Sequence, residues 1–130
     1  MNLESPVTVV EKTPEEIYNF LIKVENYERL MPDNIQKFEI LSDTRFLFAL
    51  KGMPEIVLEL KDKVPFNKVV LGAASDKLPF TLISEIKELT TGSSEVQLLF
   101  EGEFNPMISM MIKSPIKKFI ETLATNLQNI

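Results

Sequence analysis

The sequence predicts an α+β fold, in which a curved antiparallel sheet of seven strands packs on one long C-terminal helix. Two observations support this prediction. After Pro32, apolar and polar residues alternate with a period of two over about 70 residues, which is the pattern of half-buried strands. From residue 104 to residue 130 the period changes to that of an amphipathic helix.

The N-terminal stretch predicts one strand followed by a short helical excursion. Residues 3–12 contain Val7, Val9 and Val10 with Thr8 between them, and β-branched residues at this density favour a strand. Thr13-Pro14-Glu15-Glu16 then combines an N-cap threonine, a proline in the first helical turn and a glutamate three residues after the cap. The apolar stripe of the excursion comprises Ile17, Phe20, Leu21, Val24, Tyr27, Leu30 and Met31. Whether residues 25–32 form a second short helix stays open at this point.

Six further strands are predicted at residues 35–41, 45–51, 55–64, 68–75, 80–89 and 95–104. The connections between them are too short for parallel crossovers, so neighbouring strands should be antiparallel. One face of the sheet is expected to be apolar, and it comprises Phe38, Ile40, Phe46, Phe48, Ile56, Leu58, Leu60, Val69, Leu71, Phe80, Leu82, Val96, Leu98 and Phe100.

The opposite face of the sheet is mostly charged and is expected to contact water. Five apolar residues interrupt it, namely Leu47, Val57, Val70, Ile83 and Leu99. If they align across neighbouring strands, they form an apolar band that a homodimer or a binding partner could cover. The alternative is that they lie scattered beneath the aliphatic parts of lysine and glutamate side chains.

The C-terminal helix should begin after Asn105, a favourable N-cap, with Pro106 in its first turn. Its apolar stripe comprises Ile108, Ile112, Ile116, Phe119, Ile120, Leu123, Leu127 and Ile130. Lys113, Lys117, Lys118, Glu121 and Gln128 lie opposite. Pro115 removes one backbone donor inside the helix, so a kink or break is expected there. Ser114 would then cap the second half, or residues 107–113 would move as a lid.

Composition excludes several classes of function. The 130 residues form one predicted domain, residues 1–130, with a net charge of −5 and a pI near 4.8, which disfavours nucleic acid and anionic membrane surfaces as partners. The chain has no cysteine and no histidine, so disulfides, thiolate nucleophiles, Ser-His-Asp triads and most zinc sites are excluded. No apolar run is long enough for a transmembrane helix, and we expect no integral membrane association and a cytoplasmic location.

The order of these elements resembles that of the START-like superfamily, which has the helix-grip fold and includes pollen-allergen-like proteins, lipid-transfer domains and polyketide cyclases. The resemblance extends over the whole chain and includes two local stretches, Thr13-Pro14-Glu15-Glu16-Ile17-Tyr18-Asn19-Phe20 and Lys63-Val64-Pro65-Phe66-Asn67-Lys68-Val69. It implies that the first strand pairs with the last. It also implies a cavity between the sheet and the C-terminal helix that holds an apolar ligand.

The residues expected to line this cavity are those of the apolar sheet face and the methionines at the start of the helix. They are Phe46, Phe48, Leu58, Leu71, Phe80, Leu82, Ser84, Leu98, Phe100, Met107, Met110 and Met111. Flexible methionine side chains suit a surface that adapts to varied apolar partners, although they also serve as core filler. Four polar groups could orient a ligand, namely Ser84 and Asp62, which the alternation places on the apolar sheet face, and Tyr18 and Tyr27 near the helical excursion.

We therefore expect the chain to bind a hydrophobic small molecule, a lipid or an aromatic compound, without catalysis and without a metal or cofactor. One alternative is a cyclase or dehydratase that uses acid–base residues in the same cavity; none of the family's catalytic residues can be matched here. The other is a protein-interaction module of the chaperone-activator type. Glu101, Glu103 and Asn105 could supply oxygen ligands to a hard cation, but they lack a spaced loop motif.

Overall fold

An antiparallel sheet of eight strands packs on one long helix in the computed structural model, which describes residues 1–74 and 79–130. The strands are β1 (Asn2–Glu4), β2 (Thr8–Val10), β3 (Ile35–Ile40), β4 (Arg45–Leu50), β5 (Ile56–Val64), β6 (Lys68–Ala73), β7 (Phe80–Thr90) and β8 (Ser93–Gly102). The helices are α1 (Pro14–Leu21) and α2 (Pro106–Asn126), with 3₁₀ segments at Val24–Leu30 and Leu127–Asn129. The predicted end of the fourth strand after Pro32, at Ser75, and residues 76–78 of the predicted connection 76–79 lie outside the described residues.

The sheet has the strand order β1-β8-β7-β6-β5-β4-β3, and β2 also pairs with β8. Every pair is antiparallel, and consecutive strands from β3 to β8 are neighbours. The predicted six-stranded meander is therefore confirmed, as is the pairing of the N-terminal strand with the last one. The α+β helix-grip prediction is correct.

The single N-terminal strand predicted at residues 3–12 is divided into β1 and β2. Pro6 lies at the division, where its missing N–H prevents a continuous ladder. Ser5 anchors the break to β8, because its backbone N–H donates to the Leu98 carbonyl at 2.9 Å. Its Oγ accepts a hydrogen bond from the Leu98 N–H, also at 2.9 Å. The buried serine thus satisfies β8 where the ladder is interrupted.

Both helices begin at the predicted caps. The Glu16 N–H donates to Thr13 Oγ1 at 3.2 Å, and the Thr13 N–H donates to Glu16 Oε1 at 3.1 Å, which completes a capping box. At α2, the Ile108 N–H donates to Asn105 Oδ1 at 2.9 Å. The question left open for residues 25–32 is answered by the 3₁₀ segment Val24–Leu30.

The turn between β5 and β6 contains an unusual backbone conformation. The Asn67 N–H donates to the Val64 carbonyl at 3.0 Å, and Phe66 has a φ of +65°. Pro65 in the second position and a positive φ in the third match a type II turn, which normally has glycine or asparagine there. The Phe66 ring contacts Tyr18 edge-on, with ring centroids 5.6 Å apart. This contact with α1 accounts for a phenylalanine in a position that favours glycine.

A β-bulge in β5 corrects the predicted face of Asp62. Leu60 pairs with Leu71, but Asp62 pairs with Val70, so Lys61 is the extra residue of the bulge. The shift moves Asp62 to the outer face of the sheet. There Asp62 is exposed, and its Oδ1 accepts a hydrogen bond from the Lys63 N–H at 2.8 Å.

The centre of the molecule is filled by aromatic side chains from three elements. The Tyr27 ring stacks on Phe46 with centroids 5.2 Å apart, and Phe48 stacks on Phe119 of α2 at 5.0 Å. The Tyr27 hydroxyl donates to the Leu21 carbonyl at 2.8 Å, and burial raises the pKa of this phenol. Phe119, in the second half of α2, therefore packs directly on the sheet.

The helix α2 continues through Pro115. Of the expected kink or break, the break is not formed, and Ser114 lies within the helix instead of capping a second one. Ile112 and Ile116, which flank the proline, both face the sheet, the first half-buried and the second buried. Their shared packing surface holds the two halves of the helix in one continuous element.

Candidate functional site

An open, apolar cleft of about 210 Å³ lies between the sheet and the first half of α2. The sheet contributes the beginnings of β5 and β7 and the ends of β6 and β8. The helix contributes the part of its apolar stripe before the packed second half. The lining residues are Met53, Pro54, Glu55, Ile56, Val57, Ala73, Phe80, Phe100, Phe104, Ile112 and Ile116.

One wall of the cleft is a row of three phenylalanine rings. The Phe80 and Phe100 centroids are 4.9 Å apart, and those of Phe100 and Phe104 are 6.1 Å apart. Phe100 is buried, whereas Phe80 and Phe104 are half-buried and present apolar surface to the opening. Ile112 and Ile116 of α2 face this wall across the cleft. The arrangement offers flat aromatic surface on one side and branched aliphatic surface on the other.

Gly102 allows the ring wall to close over the end of β8. A Cβ atom at this position would lie 2.7 Å from the Phe104 ring and 2.9 Å from Phe80 Cβ. Both distances are shorter than ordinary van der Waals contact, so any larger residue would displace the two rings. The glycine is therefore required here by close packing of side chains.

Glu55 is the charged residue among the described lining residues, and it lies at the rim. Its Oε2 accepts a hydrogen bond from Lys37 Nζ at 3.0 Å, and its side chain is 54% exposed. This hydrogen bond, with the charges of Glu39 and Glu55, raises the pKa of the Lys37 ammonium. Glu55 is thus paired across the outside of the sheet, and its charge is not directed into the cleft.

The structure places the predicted cavity residues in three different environments. Phe80 and Phe100 line the cleft. Seven others lie on the same sheet face but are buried in the packed core, namely Phe46, Phe48, Leu58, Leu71, Leu82, Ser84 and Leu98. Met107, Met110 and Met111 are exposed and are not among the residues that line the cleft.

The position of the three methionines corrects the expectation that they border the cavity. Met107, Met110 and Met111 are 73%, 83% and 69% exposed. At about 100° per residue, they lie on the side of α2 opposite Ile112 and Ile116, which face the sheet. The expectation followed from the chemistry of methionine and did not use the helical period. That period places the three methionines on one side of α2 and the two isoleucines on the other.

Several lining residues were not predicted as site residues. Ile112 and Ile116 line the cleft and belong to the predicted apolar stripe of the helix. Their position in the first half of that stripe could have indicated them as site residues. Phe104 was assigned to the end of a strand, and Met53 to a turn. Only the relative placement of these segments brings them together, and a single sequence carries no direct signal for it.

Three of the predicted polar groups of the site lie away from the cleft. The Tyr27 hydroxyl is bonded to a backbone carbonyl inside the core. Tyr18 is buried and packs on Phe66. Ser84 is buried on the inner face as predicted, paired in register with Val69 and Leu98. These side chains do not line the cleft.

The outer face of the sheet aligns the predicted apolar residues in part. Val70, Ile83 and Leu99 are direct neighbours across β6, β7 and β8, while Leu47 and Val57 pair separately across β4 and β5. All five are half-buried. A homodimer through this face stays a prediction.

Two negative findings concern residues 1–74 and 79–130, one about acidic clusters and one about membrane-spanning helices. No group of three or more acidic side chains in those ranges is arranged to hold a metal ion. Asn105 is engaged in capping α2 through its side-chain oxygen. Neither α1 nor α2, the helices of the described ranges, is long and apolar enough to cross a membrane.

A second depression of about 300 Å³ adjoins the cleft beyond Met53. It is lined in part by Asp33, Asn34, Lys51 and Lys118. Its mixed polar walls resemble ordinary protein surface, whereas ligand sites are mostly apolar with a few polar groups. The smaller apolar cleft is therefore the better candidate for a site.

Comparisons with known proteins identify the fold. The chain matches no family model and none of the curated proteins. Among solved structures, it is similar to a START superfamily protein from Mycobacterium smegmatis, with a TM-score of 0.70 and 15% identity over 98% of this chain and 94% of that one. It is also similar to a conserved protein from Geobacillus kaustophilus, with a TM-score of 0.71 and 12% identity over 99% and 93% of the two chains.

A third similar structure is that of a protein from Thermus thermophilus, with a TM-score of 0.70 and 11% identity over 99% of this chain and 95% of that one. The coverage is nearly complete in all three comparisons, so the similarity concerns the whole described architecture. The identities are low, and the similarity therefore shows the fold alone. The fold is the START-like, helix-grip fold.

Proposed function

We propose that this START-like, helix-grip domain binds a small hydrophobic molecule, without catalysis, in the cleft between the sheet and α2. The observation that carries the proposal is the ring wall of Phe80, Phe100 and Phe104, which faces Ile112 and Ile116 across the opening. Burial of a ligand between these surfaces removes apolar area from water on both sides, which is favourable.

The dimensions of the cleft favour a compact, flat ligand. Its volume of about 210 Å³ is below the roughly 300–1,000 Å³ of common small-molecule pockets. Aromatic rings prefer offset stacking or edge-to-face contact, and the ring wall provides surface for both. We therefore expect one-ring and two-ring aromatic compounds to bind better than long acyl chains, which would extend out of the cleft into water.

The polar groups near the cleft support binding over catalysis. Acid–base catalysis requires a proton donor or acceptor within hydrogen-bond reach of the reacting atom. Glu55 is paired with Lys37 at the rim, and the Tyr27 hydroxyl is bonded to a backbone carbonyl away from the cleft. The cyclase alternative would require turnover that depends on pH through a carboxylate or phenol in the cleft.

The proposal is tested by filling the cleft with a side chain. Ala73 lines the cleft on the inner face, opposite Leu58, so Ala73→Leu reduces the space for a ligand. The matched control is Ala49→Leu, because Ala49 pairs with Lys37 on the outer face and does not line the cleft. The probe is 1-naphthylamine, a two-ring compound, followed by the change in its own fluorescence, since the chain contains no tryptophan.

We expect Ala73→Leu to weaken binding of the probe by about tenfold or more, and Ala49→Leu to leave it unchanged. Indole and decanoic acid, added as competitors, compare compact aromatic ligands with acyl chains. Circular dichroism of both variants checks that the fold is retained. Failure of the whole set to bind, or equal binding by Ala73→Leu and the wild type, would contradict a ligand site in this cleft.

A further inference from the structure

The walls of the apolar cleft do not supply a polar side chain that could orient a ligand. Glu55 at the rim accepts a hydrogen bond from Lys37 Nζ at 3.0 Å, and the other described lining residues are apolar. Small-molecule sites normally combine apolar walls with a few polar groups that fix the orientation of the ligand. A polar anchor for a molecule in the cleft must therefore come from a neighbouring part of the surface.

That neighbouring part is the depression of about 300 Å³ beyond Met53. Met53 lines both the cleft and the depression, so its unbranched, half-buried side chain forms the boundary between them. The helix α2 borders both spaces, since Ile116 lines the cleft and Lys118 lines the depression. At a rise of about 1.5 Å per residue, these two positions are about 3 Å apart along the helix axis. A group attached to a molecule in the cleft therefore has a short way to the depression.

Two exposed lysines, Lys51 and Lys118, line the depression. The backbone N–H of Lys51 donates to the Asn34 carbonyl at 3.1 Å, which holds this residue next to the start of β3. The backbone of Lys118 is held within α2. Neither lysine takes part in an ion pair with another residue of the described ranges. Both ammonium groups are therefore available to an anion from outside the chain.

The structure distinguishes Lys118 from the other lysines of the same helix. The polar side of α2 carries three exposed lysines, namely Lys113, Lys117 and Lys118. Of these three, Lys118 lines the depression and the other two do not. The hydroxyl of Thr122, which also lines the depression, donates to the Lys118 carbonyl at 2.8 Å. The lysine ammonium groups are thus better placed than this hydroxyl to bind a ligand.

The charge of the depression favours an anion. Its described lining residues include two lysines and one acidic residue, Asp33, which leaves an excess of one positive charge. Asp33 also borders a further depression that Arg29 lines, so another cation lies on its other side. The net charge of −5 on the whole chain opposes an anion at long range. Salt screens such distant charges beyond about 8–10 Å, whereas the two lysines would contact the anion directly.

We propose that the molecule bound in the cleft is an aromatic carboxylate. Its rings lie against the ring wall, and its carboxylate reaches past Met53 to the ammonium groups of Lys51 and Lys118. Hydrogen bonds between an ammonium and a carboxylate are stronger than those between neutral groups. The inference rests on the proposed function, because it names the class of ligand that occupies the same cleft.

Three naphthalene derivatives of similar shape test the charge of the ligand. At pH 7, 1-naphthoic acid is anionic, 1-naphthamide is neutral and 1-naphthylmethylamine is cationic. Titrations followed by ¹H–¹⁵N correlation spectra measure weak affinities and also locate the bound compound, through shifts of the Ala73 and Ile116 amides. We expect the acid to bind about fivefold tighter than the amide, and the amine to bind more weakly than the amide. The preference for the acid should decrease as salt is raised, because salt screens exposed charges.

Substitution of the two lysines tests their part in this preference. Lys118→Gln and Lys51→Gln should each reduce the affinity for 1-naphthoic acid by about twofold to threefold, and both should leave the affinity for 1-naphthamide unchanged. Lys113→Gln is the matched control, because Lys113 is an exposed lysine of the same helix that does not line the depression. We expect this variant to bind the acid like the wild type. All three positions are exposed, so the fold should be retained.

The outcomes separate this inference from the proposed function. If none of the three compounds binds, the ligand site itself is contradicted, and the carboxylate proposal with it. If the acid and the amide bind equally well, or if both lysine variants keep the wild-type affinity for the acid, the carboxylate proposal is overturned and the ligand site is not. Tighter binding of the amine than of the acid would also overturn it, and would assign the polar contact to Asp33.

Discussion

Two variants, Phe66→Gly and Phe66→Ala, separate two contributions to stability at the β5–β6 turn, the backbone strain at position 66 and the contact of the Phe66 ring. Both variants lose the edge-on contact with Tyr18, which has a centroid distance of 5.6 Å. Such aromatic pairs contribute about 0.5–1.5 kcal/mol. The two variants differ mainly in the backbone, because the φ of +65° is unstrained for glycine and strained for alanine.

The strain of the backbone at position 66 determines the expected difference in stability between the two variants. A left-handed conformation costs a residue with a Cβ atom about 1–2 kcal/mol, and glycine avoids that cost. We expect Phe66→Gly to be more stable than Phe66→Ala by about 1 kcal/mol. Relative to the wild type, the glycine variant loses the ring contact but relieves the strain, so its stability should be nearly unchanged. The alanine variant should be less stable than the wild type by about 1 kcal/mol.

Urea unfolding followed by circular dichroism measures this difference. With a slope of about 2 kcal/mol per molar, the two midpoints should differ by about 0.5 M. Asn67 is the matched control, because its backbone φ is not positive. Glycine in an ordinary conformation is less stable than alanine by about 0.5–1 kcal/mol, so the order should be reversed there. An alanine variant at position 66 as stable as the glycine variant would refute the reasoning.

Three further predictions concern a cap, a buried phenol and a close contact. Hydrogen bonds to the Thr13 backbone and side chain lower the pKa of Glu16 below 4.5, so its stabilisation is present above pH 4.5 and is lost as pH falls through the lowered value. The stability advantage over Glu16→Gln should accordingly decrease as pH is lowered below 4.5 in urea titrations. Tyr27→Phe leaves the Leu21 carbonyl without its donor and should lower the free energy of unfolding by about 1–2 kcal/mol, measured by urea unfolding; no loss would contradict this hydrogen bond. Gly102→Ala displaces the ring wall and should destabilise by about 1–3 kcal/mol while weakening probe binding, whereas unchanged thermal unfolding and binding would contradict the close contact.

The features that local physics determines were predictable from the sequence. Thr13 and Asn105 cap the helices because a short polar side chain there satisfies free backbone donors within the same turn. Strand positions follow from alternation and from short connections, which determine the meander. The pairing of the first strand with the last was implied by the resemblance to the START-like superfamily, and the structure confirms it.

The details that prediction missed depend on distant contacts. The bulge at Lys61 moves Asp62 to the outer face, and the alternation of apolar and polar residues in β5 does not indicate the extra residue. Phe66 adopts the positive φ of the turn, although Asn67, the next residue, is of a type that tolerates this conformation better. The packing of the Phe66 ring on Tyr18 accounts for this choice. Pro115 remains within a helix because residues on both sides of it pack on one sheet.

The candidate site could be predicted only in part. Alternation places Phe80 and Phe100 on the inner face, but it does not distinguish a position in the packed core from one beside an opening. That distinction depends on where α2 lies against the sheet. For Met110, in contrast, the sequence held enough information, since the helical period alone would have placed it away from Ile112.

The anchoring of Ser5 to Leu98 affects how the polypeptide acquires its structure during synthesis. The bond joins residues 93 positions apart, so its partner is made long after Ser5 emerges. At about 5–20 residues per second, the N-terminal segment waits on the order of 10 s for β8. Contacts between distant residues also slow folding, because closing a long loop costs entropy before any contact compensates it. We expect the arrival of β8, and not helix formation, to limit how fast the newly made chain matures.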